Sequence, residues 1–301
     1  MVQKVALKRV EVSSVAKEIQ ITQAEADSYY HATNELYDMY VEAAEHIIEN
    51  DLFFDMGVPF NLVEAIKKSW ENDVHWHICG NFIFQGGYDG KPLLLEGFEA
   101  DTPSDLVTIS QEQPDDDQFN ELYENIATNF KRLITLDEDI ELFEERYDGW
   151  KILFSAADDD EKGEESARFL QQLAEEAGFE TGFCYLHEVN FSEDGISDHE
   201  GEEYEYWCKN YNWSDMASQE PELVTTLTSI MKNQKAIIIN PAYTAIFESK
   251  GIIDLMRELF PDSPYLAKKG ENTLQAKVVF AYEASALGFF QEDTFIAHRI
   301  V

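Results

Sequence analysis

The sequence predicts an α/β protein whose N-terminal part is α+β, and three observations carry that reading. Thr22-Gln23-Ala24-Glu25 has the form of a capping box and opens a run of apolar residues at helical period. A glycine-rich stretch, Gly86-Gly87-Tyr88-Asp89-Gly90, separates two β-rich runs, as in a hairpin. From Lys151 onward strand-type and helix-type segments alternate, which predicts a right-handed βαβ unit within a small three-layer sheet. The expected division is an N-terminal part over 1–148 and a small α/β part over 149–268, followed by residues 269–301.

The first element is a long helix reaching about Asn50, with Tyr29, Tyr30, Leu36, Tyr37, Tyr40, Val41, Ala44 and Ile48 on its apolar side. Aromatic rings at that spacing are expected to pack a core rather than bind a ligand. A second helix follows Asn61, with Leu62, Ile66 and Trp70 on one face. His75 to Phe84 then reads as a strand, residues 92–99 as its partner, and Ala100-Asp101-Thr102-Pro103-Ser104 as the turn after it. In such a strand His75 and His77 would share a face, but no third metal ligand can be named, so they are read as structural. Asp115-Asp116-Asp117 suits a helix N-terminus, where carboxylates meet the positive end of the dipole, and Phe119, Leu122, Ile126, Phe130 and Leu133 follow at helical spacing.

Lys151 to Ser155 predicts the next strand, Glu164 to Ala177 a helix stopped by Gly178, and Gly182 to Leu186 a further strand. Ala236 to Asn240 and helical segments over Tyr243 to Phe260 extend the sheet. Between Asp158 and Glu165 stand six acids and one glycine, the opposite of a glycine-rich phosphate loop, so a dinucleotide fingerprint is not supported.

Sixty acidic against 22 basic residues leave a formal charge of −38. Such a field repels nucleic-acid phosphates; it reads first as an acidic solubilising surface, with a basic protein or a polyamine as the alternative, a partner it would attract. No run of about 18 apolar residues and no apolar N-terminal stretch occurs, so a cytoplasmic protein without membrane insertion is expected. Cys79, Cys184 and Cys208 lie far apart without CxxC spacing, which predicts buried reduced thiols and neither disulfides nor a thiolate zinc site.

A set of short motifs, in order, resembles the glutathionylspermidine synthase family of ATP-grasp ligases. They are Ser69-Trp70-Glu71, His75-Trp76-His77, Gly90-Lys91-Pro92, Ala100-Asp101-Thr102-Pro103-Ser104, Trp150 to Phe154, Asn240-Pro241-Ala242-Tyr243-Thr244, Ser249-Lys250-Gly251, Leu259 to Pro264 and Ala281 to Phe289. The resemblance covers nearly all of the chain from Thr22 on. It implies a pre-ATP-grasp-like βαβ sheet followed by a remnant of an ATP-grasp domain over 269–301. It also implies magnesium-dependent activation of a glutathione carboxylate by ATP and amide formation with spermidine, chemistry that needs metal ligands and basic groups.

Several positions depart from the family pattern. Its Arg-Phe-Asp falls on Asn81-Phe82-Ile83, and its Glu-aromatic-Asn on Gly97-Phe98-Glu99, leaving Glu99 as the one candidate metal ligand. Glu96 is one residue out of register and is expected on the opposite strand face. The family's later arginine falls on Phe290, and Gly270 joins Glu271 where the family carries much of its nucleotide-binding portion. Losing a preorganised charge stabiliser commonly costs about 3 kcal/mol or more. The resemblance with these replacements implies a non-catalytic homologue acting as a binding or interaction scaffold, with no cofactor expected and ATP and magnesium relevant only if the family activity persists. Its substrate-side positions would be Glu188, Asp101, Thr102, Ser104 and Lys250. The alternatives are an ATP- and magnesium-dependent ligase, with Glu96, Glu99 and Asp101 on the metal, and a polyamine-binding protein.

Overall fold

The structure is a computed structural model that describes residues 4–7, 19–72, 77–102, 122–139, 151–267, 277–282 and 298–300. Strands β1 (Lys4–Leu7) and β2 (Ile19–Thr22) pair antiparallel and lead into α1 (Gln23–Glu49). The capping box forms as the sequence predicts: Thr22 Oγ1 accepts the N–H of Glu25, and the Glu25 carboxylate accepts the N–H of Thr22. Tyr29, Leu36, Tyr40 and Ala44 are buried, and Tyr30, Tyr37, Val41 and Ile48 pack beside them, so the stripe belongs to the core.

After α2 (Phe53–Met56) and a single 3-10 turn comes α3 (Val63–Asn72), with Ile66 buried. The hairpin is β3 (Gly80–Gly86) and β4 (Leu93–Glu99). Its first strand begins five residues later than expected. His77 precedes the ladder, and His75, its expected partner on the strand face, lies outside the described residues. Positive φ at Gly86, Gly87, Asp89 and Gly90 accounts for the glycines of the turn. Helix α4 (Leu122–Asp139) buries Ile126, Phe130 and Leu133 as predicted, while the Asp115–Asp117 cluster lies outside the described residues.

The central sheet starts with β5 (Lys151–Ala156), α5 (Glu161–Ala177) and β6 (Glu180–Tyr185). Capped by Asp160, α5 begins three residues before the predicted start, and Gly178 ends it in the left-handed conformation. A small antiparallel sheet follows, made of β7 (Asn190–Ser192), β8 (Gly195–Ser197) and β9 (Glu203–Tyr204). Then come β10 (Tyr206–Asn210), α6 (Trp213–Gln219), α7 (Pro221–Lys232), β11 (Ile237–Ile239), α8 (Thr244–Phe247) and α9 (Ile252–Leu259). The four central strands are parallel in the order β11-β10-β5-β6. β10, absent from the sequence reading, is the strand between β5 and β11.

Both sheet faces are covered. Leu153, Cys184, Trp207 and Ile238 share a core with α1, α3, α7 and the hairpin, while Ile152, Phe154, Tyr206, Ile237 and Ile239 pack with α4 and α5. That is the three-layer α/β arrangement the alternating segments predict. Strands β12 (Lys277–Tyr282) and β13 (His298–Ile300) join the hairpin in a second, antiparallel sheet ordered β13-β12-β3-β4. Among the described residues no helix is long and apolar enough to cross a membrane.

Candidate functional site

Parallel strands end on one edge of their sheet, and ligands of open α/β sheets bind there, where successive connections run in opposite directions. In this sheet the connection from β5 leads outward to β6 and the later strands lie on the other side of β5, so the reversal falls between β5 and β10. The edge is acidic. Asp158, Asp159 and Asp160 are exposed, and Glu161 and Glu164 occupy the first turn of α5, the end where an anion would otherwise bind.

Carboxylates and rings alternate along this edge. The Tyr185 hydroxyl donates to Glu164 Oε2 at 2.9 Å, and Arg168 Nε donates to Glu164 Oε1 at 2.9 Å. The bonds from Arg168 and Tyr185 hold the Glu164 carboxyl below its ordinary pKa, so it is charged at neutral pH. The His187 ring lies parallel to that of Tyr185, and its Nδ1 is 3.9 Å from Asp158 Oδ2. Glu188, the substrate-side candidate named from the sequence, is half-buried beside them and accepts the N–H of Tyr185 at 3.1 Å. Three carboxylates and two rings, gathered where β5 and β6 end, suit a cation with apolar stretches rather than a phosphate.

The face of the hairpin opposite Phe82 and Phe84 holds the positions where the resemblance places metal and charge stabiliser. Asn81 Nδ2 donates to Glu99 Oε2 at 3.2 Å, and Gln85 Nε2 donates to Glu96 Oε2 at 2.8 Å. The second bond corrects the expectation for Glu96. Ile83 pairs with Gly97 but Phe84 pairs with Leu95, so Glu96 is the extra residue of a β-bulge. The bulge breaks the two-residue alternation, leaving Leu95 and Phe98 both buried and Glu96 on the same side as Glu99. Ile83 offers no oxygen donor and Gly97 has no side chain, so the family's own magnesium set is not reproduced at these positions.

Asp101 lies elsewhere than an open pocket. Its carboxylate is enclosed, 2.5 Å from Lys209 Nζ and 2.6 Å from the N–H of Trp213. Around it Glu248 accepts the N–H groups of Ala100 and Asp101 and an amide hydrogen of Asn212, while Asn240 donates to the carbonyls of Cys79, Ala100 and Asp101. His77 closes the knot through Ala100 O at 2.8 Å and Tyr37 Oη at 3.1 Å. The hairpin is thus fastened to the central sheet by polar groups, and Asp101 is not available to a metal. Thr102 is half-buried at the end of this segment and Lys250 is exposed; Ser104, Phe290 and the Gly270–Glu271 junction lie outside the described residues. Sequence reading missed Lys209 and Glu248. Their only signal is their pattern: a lysine inside the apolar strand Tyr206–Asn210, and an acid between Phe247 and the Ser249-Lys250-Gly251 motif.

A family model described as glutathionylspermidine synthase preATP-grasp matches residues 12–285. Among curated proteins, the glutathionylspermidine synthase of Crithidia fasciculata is 25% identical over 256 residues, covering 73% of this chain and 33% of its own length. The bifunctional glutathionylspermidine synthetase/amidase of Escherichia coli is 23% identical over 272 residues, 82% of this chain and 42% of its own length. This chain therefore spans less than half of either relative. A glutathione synthetase-like effector from Globodera pallida aligns with a TM-score of 0.40 at 10% identity, covering 75% of this chain and 58% of the other, too distant to carry an argument.

Proposed function

Because the chain belongs to the glutathionylspermidine synthase preATP-grasp family, we propose that it is a non-catalytic homologue that binds a polyamine along the acidic edge of its parallel sheet. The observation that carries this reading is the grouping of Asp158, Glu164 and Glu188 around the Tyr185 and His187 rings. A flexible chain of amines separated by methylenes matches it, with ammonium groups on the carboxylates and methylenes on the rings. Against ligation stand the amide of Asn81, the hydrocarbon side chain of Ile83 and the lack of any side chain at Gly97, at the family's stabiliser and metal positions, together with the commitment of Asp101 to Lys209.

Affinity follows from the exposure of the acids. Exposed ion pairs contribute about 0.2–1 kcal/mol each, and a methylene packed on a ring at most about 0.8 kcal/mol. Three of the first and two of the second give a few kcal/mol, which corresponds to binding near the millimolar range. Calorimetric titration with spermidine at about 0.15 M salt tests the proposal. The expected result is saturable binding that weakens several-fold in Glu164→Gln and in Asp158→Asn. Identical heats in parent and variants would reduce it to a surface effect, and silence with spermidine would overturn it.

One observation favours a second reading. The bulge returns Glu96 to the face of Glu99, so two carboxylates lie where oxygen donors for magnesium would be needed. An ATP-dependent ligase joining a glutathione-type carboxylate to a polyamine would bind magnesium-ATP in the micromolar range and release ADP only with both substrates present. Glu96→Gln and Glu99→Gln would abolish that turnover. Micromolar binding of magnesium-ATP would displace the non-catalytic reading.

A further inference from the structure

One cluster of chemically reactive side chains plays no part in the proposal above except through Glu188. Cys184 stands one residue before the end of β6, Glu188 closes the 3-10 turn Leu186–Glu188, and His199 is on the loop between β8 and β9. Sequence spacing gives no hint of the group, because the small sheet folds residue 199 back over the end of β6. Cys184 Sγ lies 3.4 Å from His199 Nδ1, and one ligand atom from each of the three residues falls within 4.8 Å of the others.

The loop carrying His199 is braced. Asp198 Oδ1 accepts the N–H groups of Glu200 and Glu202, both at 2.9 Å, and Asp198 Oδ2 accepts the hydroxyl hydrogen of Tyr204 at 3.2 Å. Tyr204 in turn packs so closely on Gly182 that a Cβ there would come 2.2 Å from its hydroxyl oxygen, which ties the loop to β6. A tetrahedral zinc ion holds sulfur at about 2.3 Å and imidazole nitrogen at about 2.0–2.1 Å, placing the two ligand atoms about 3.5 Å apart. The observed sulfur-to-nitrogen distance already matches. Glu188 uses one oxygen on the N–H of Tyr185, which leaves the other for an ion.

We propose that Cys184, Glu188 and His199 form a thiolate, carboxylate and imidazole site for a zinc-type divalent cation, with its fourth position open to solvent. The burial classes agree with an open fourth position: Cys184 is buried, Glu188 half-buried and His199 exposed. A thiol–imidazole nucleophile would need a stabilised thiolate. The surroundings work the other way, since burial and the charges of Asp198, Glu188 and Glu200 push the thiol pKa up. A divalent ion reverses that balance, displacing the thiol proton to solvent and neutralising the negative field. Sulfur ligation selects a borderline-soft ion over magnesium or calcium.

Titration of the metal-free full chain with Co2+ tests the site, because a cobalt–thiolate bond adds a charge-transfer absorption that carboxylates alone do not give. The expected result is a band saturating at one equivalent, erased by one equivalent of Zn2+. His199→Gln, at an exposed position where folding is not at stake, and Cys184→Ser should both lose the band. Zn2+ affinity measured by chelator competition should fall by about 100-fold or more with either change. Three outcomes overturn the assignment: no band at stoichiometric Co2+, a band unchanged in both variants, or parent Zn2+ affinity no tighter than that of the double variant. None of these readings depends on spermidine, so the metal site and the polyamine edge stand or fall separately.

Discussion

His77 and Glu248 hold one peptide from two sides, and their protonation pulls stability in opposite directions. His77 Nε2 donates to Ala100 O, and Glu248 Oε1 accepts the N–H groups of Ala100 and Asp101. Burial pushes the His77 pKa down from 6.5 to about 4, and burial together with the nearby Asp101 charge pushes that of Glu248 up from 4.5 to about 7. The unfolded chain takes the histidine proton first, so the His77 contribution is complete above pH 6.5 and is lost as pH falls to about 4. The folded chain keeps the glutamate proton longer, so the Glu248 contribution is complete below pH 4.5 and is lost as pH rises to about 7. Between pH 4.5 and 6.5 the two slopes cancel, and these groups together produce a plateau. In Glu248→Gln the His77 slope stands alone. The stability difference between variant and parent should therefore move in the variant's favour by about 3 kcal/mol from pH 4.5 to 7, read by urea unfolding at each pH. Parallel curves would mean that the Glu248 carboxyl titrates as it does in water.

At the scale of elements, the hairpin shows both how far the pattern carries and where it stops. Capping box, turn glycines and helix periodicity are local, so α1, the 86–90 turn and the βαβ unit are legible in the sequence alone. The bulge at Glu96 is not local. It exists because Leu95 and Phe98, three residues apart, both face the core, where Phe98 stacks on Phe82 with ring centroids 4.1 Å apart. β10 escapes for a related reason: Lys209 breaks its apolar run, and only the distant Asp101 explains how a lysine is enclosed there. The candidate edge was half legible, through Glu188 and the acids from Asp158 on, whereas His199 meets Cys184 only through the fold of the small sheet. Two deletions separate the bulge from the strand. Removing Glu96 should leave the existing pairs Ile83–Gly97 and Phe84–Leu95 in a regular ladder and change stability by less than about 1 kcal/mol. Removing Leu95 instead brings Glu96 opposite Phe84 on the core side, at a cost of about 3 kcal/mol or more from lost burial and a desolvated carboxylate. Thermal melts of both deletions decide it; equal destabilisation would show that the bulge itself, and not the facing of Leu95, holds the hairpin.

For the molecule as a whole, the formal charge of −38 is both a stress on folding and the means by which a polycation is drawn in. Like charges crowded onto a compact surface repel more strongly than the same charges on an expanded chain, and salt relieves that repulsion as the screening length falls from about 30 Å at 0.01 M to about 8 Å at 0.15 M. The melting temperature should therefore rise over this interval by several degrees and then level off, as screening becomes shorter than the spacing of most charges. Spermidine should do the same at far lower concentration. Its effect divides in two: general screening disappears once about 0.15 M sodium chloride is present, whereas occupation of the edge formed by Asp158, Glu164 and Glu188 persists there and is weakened several-fold in Glu164→Gln. A melting temperature that does not respond to sodium chloride would mean that bound counterions already neutralise the long-range field of the acids at about 0.01 M salt. The long-range attraction would then contribute nothing to polyamine binding, and any affinity would have to come from the edge contacts alone.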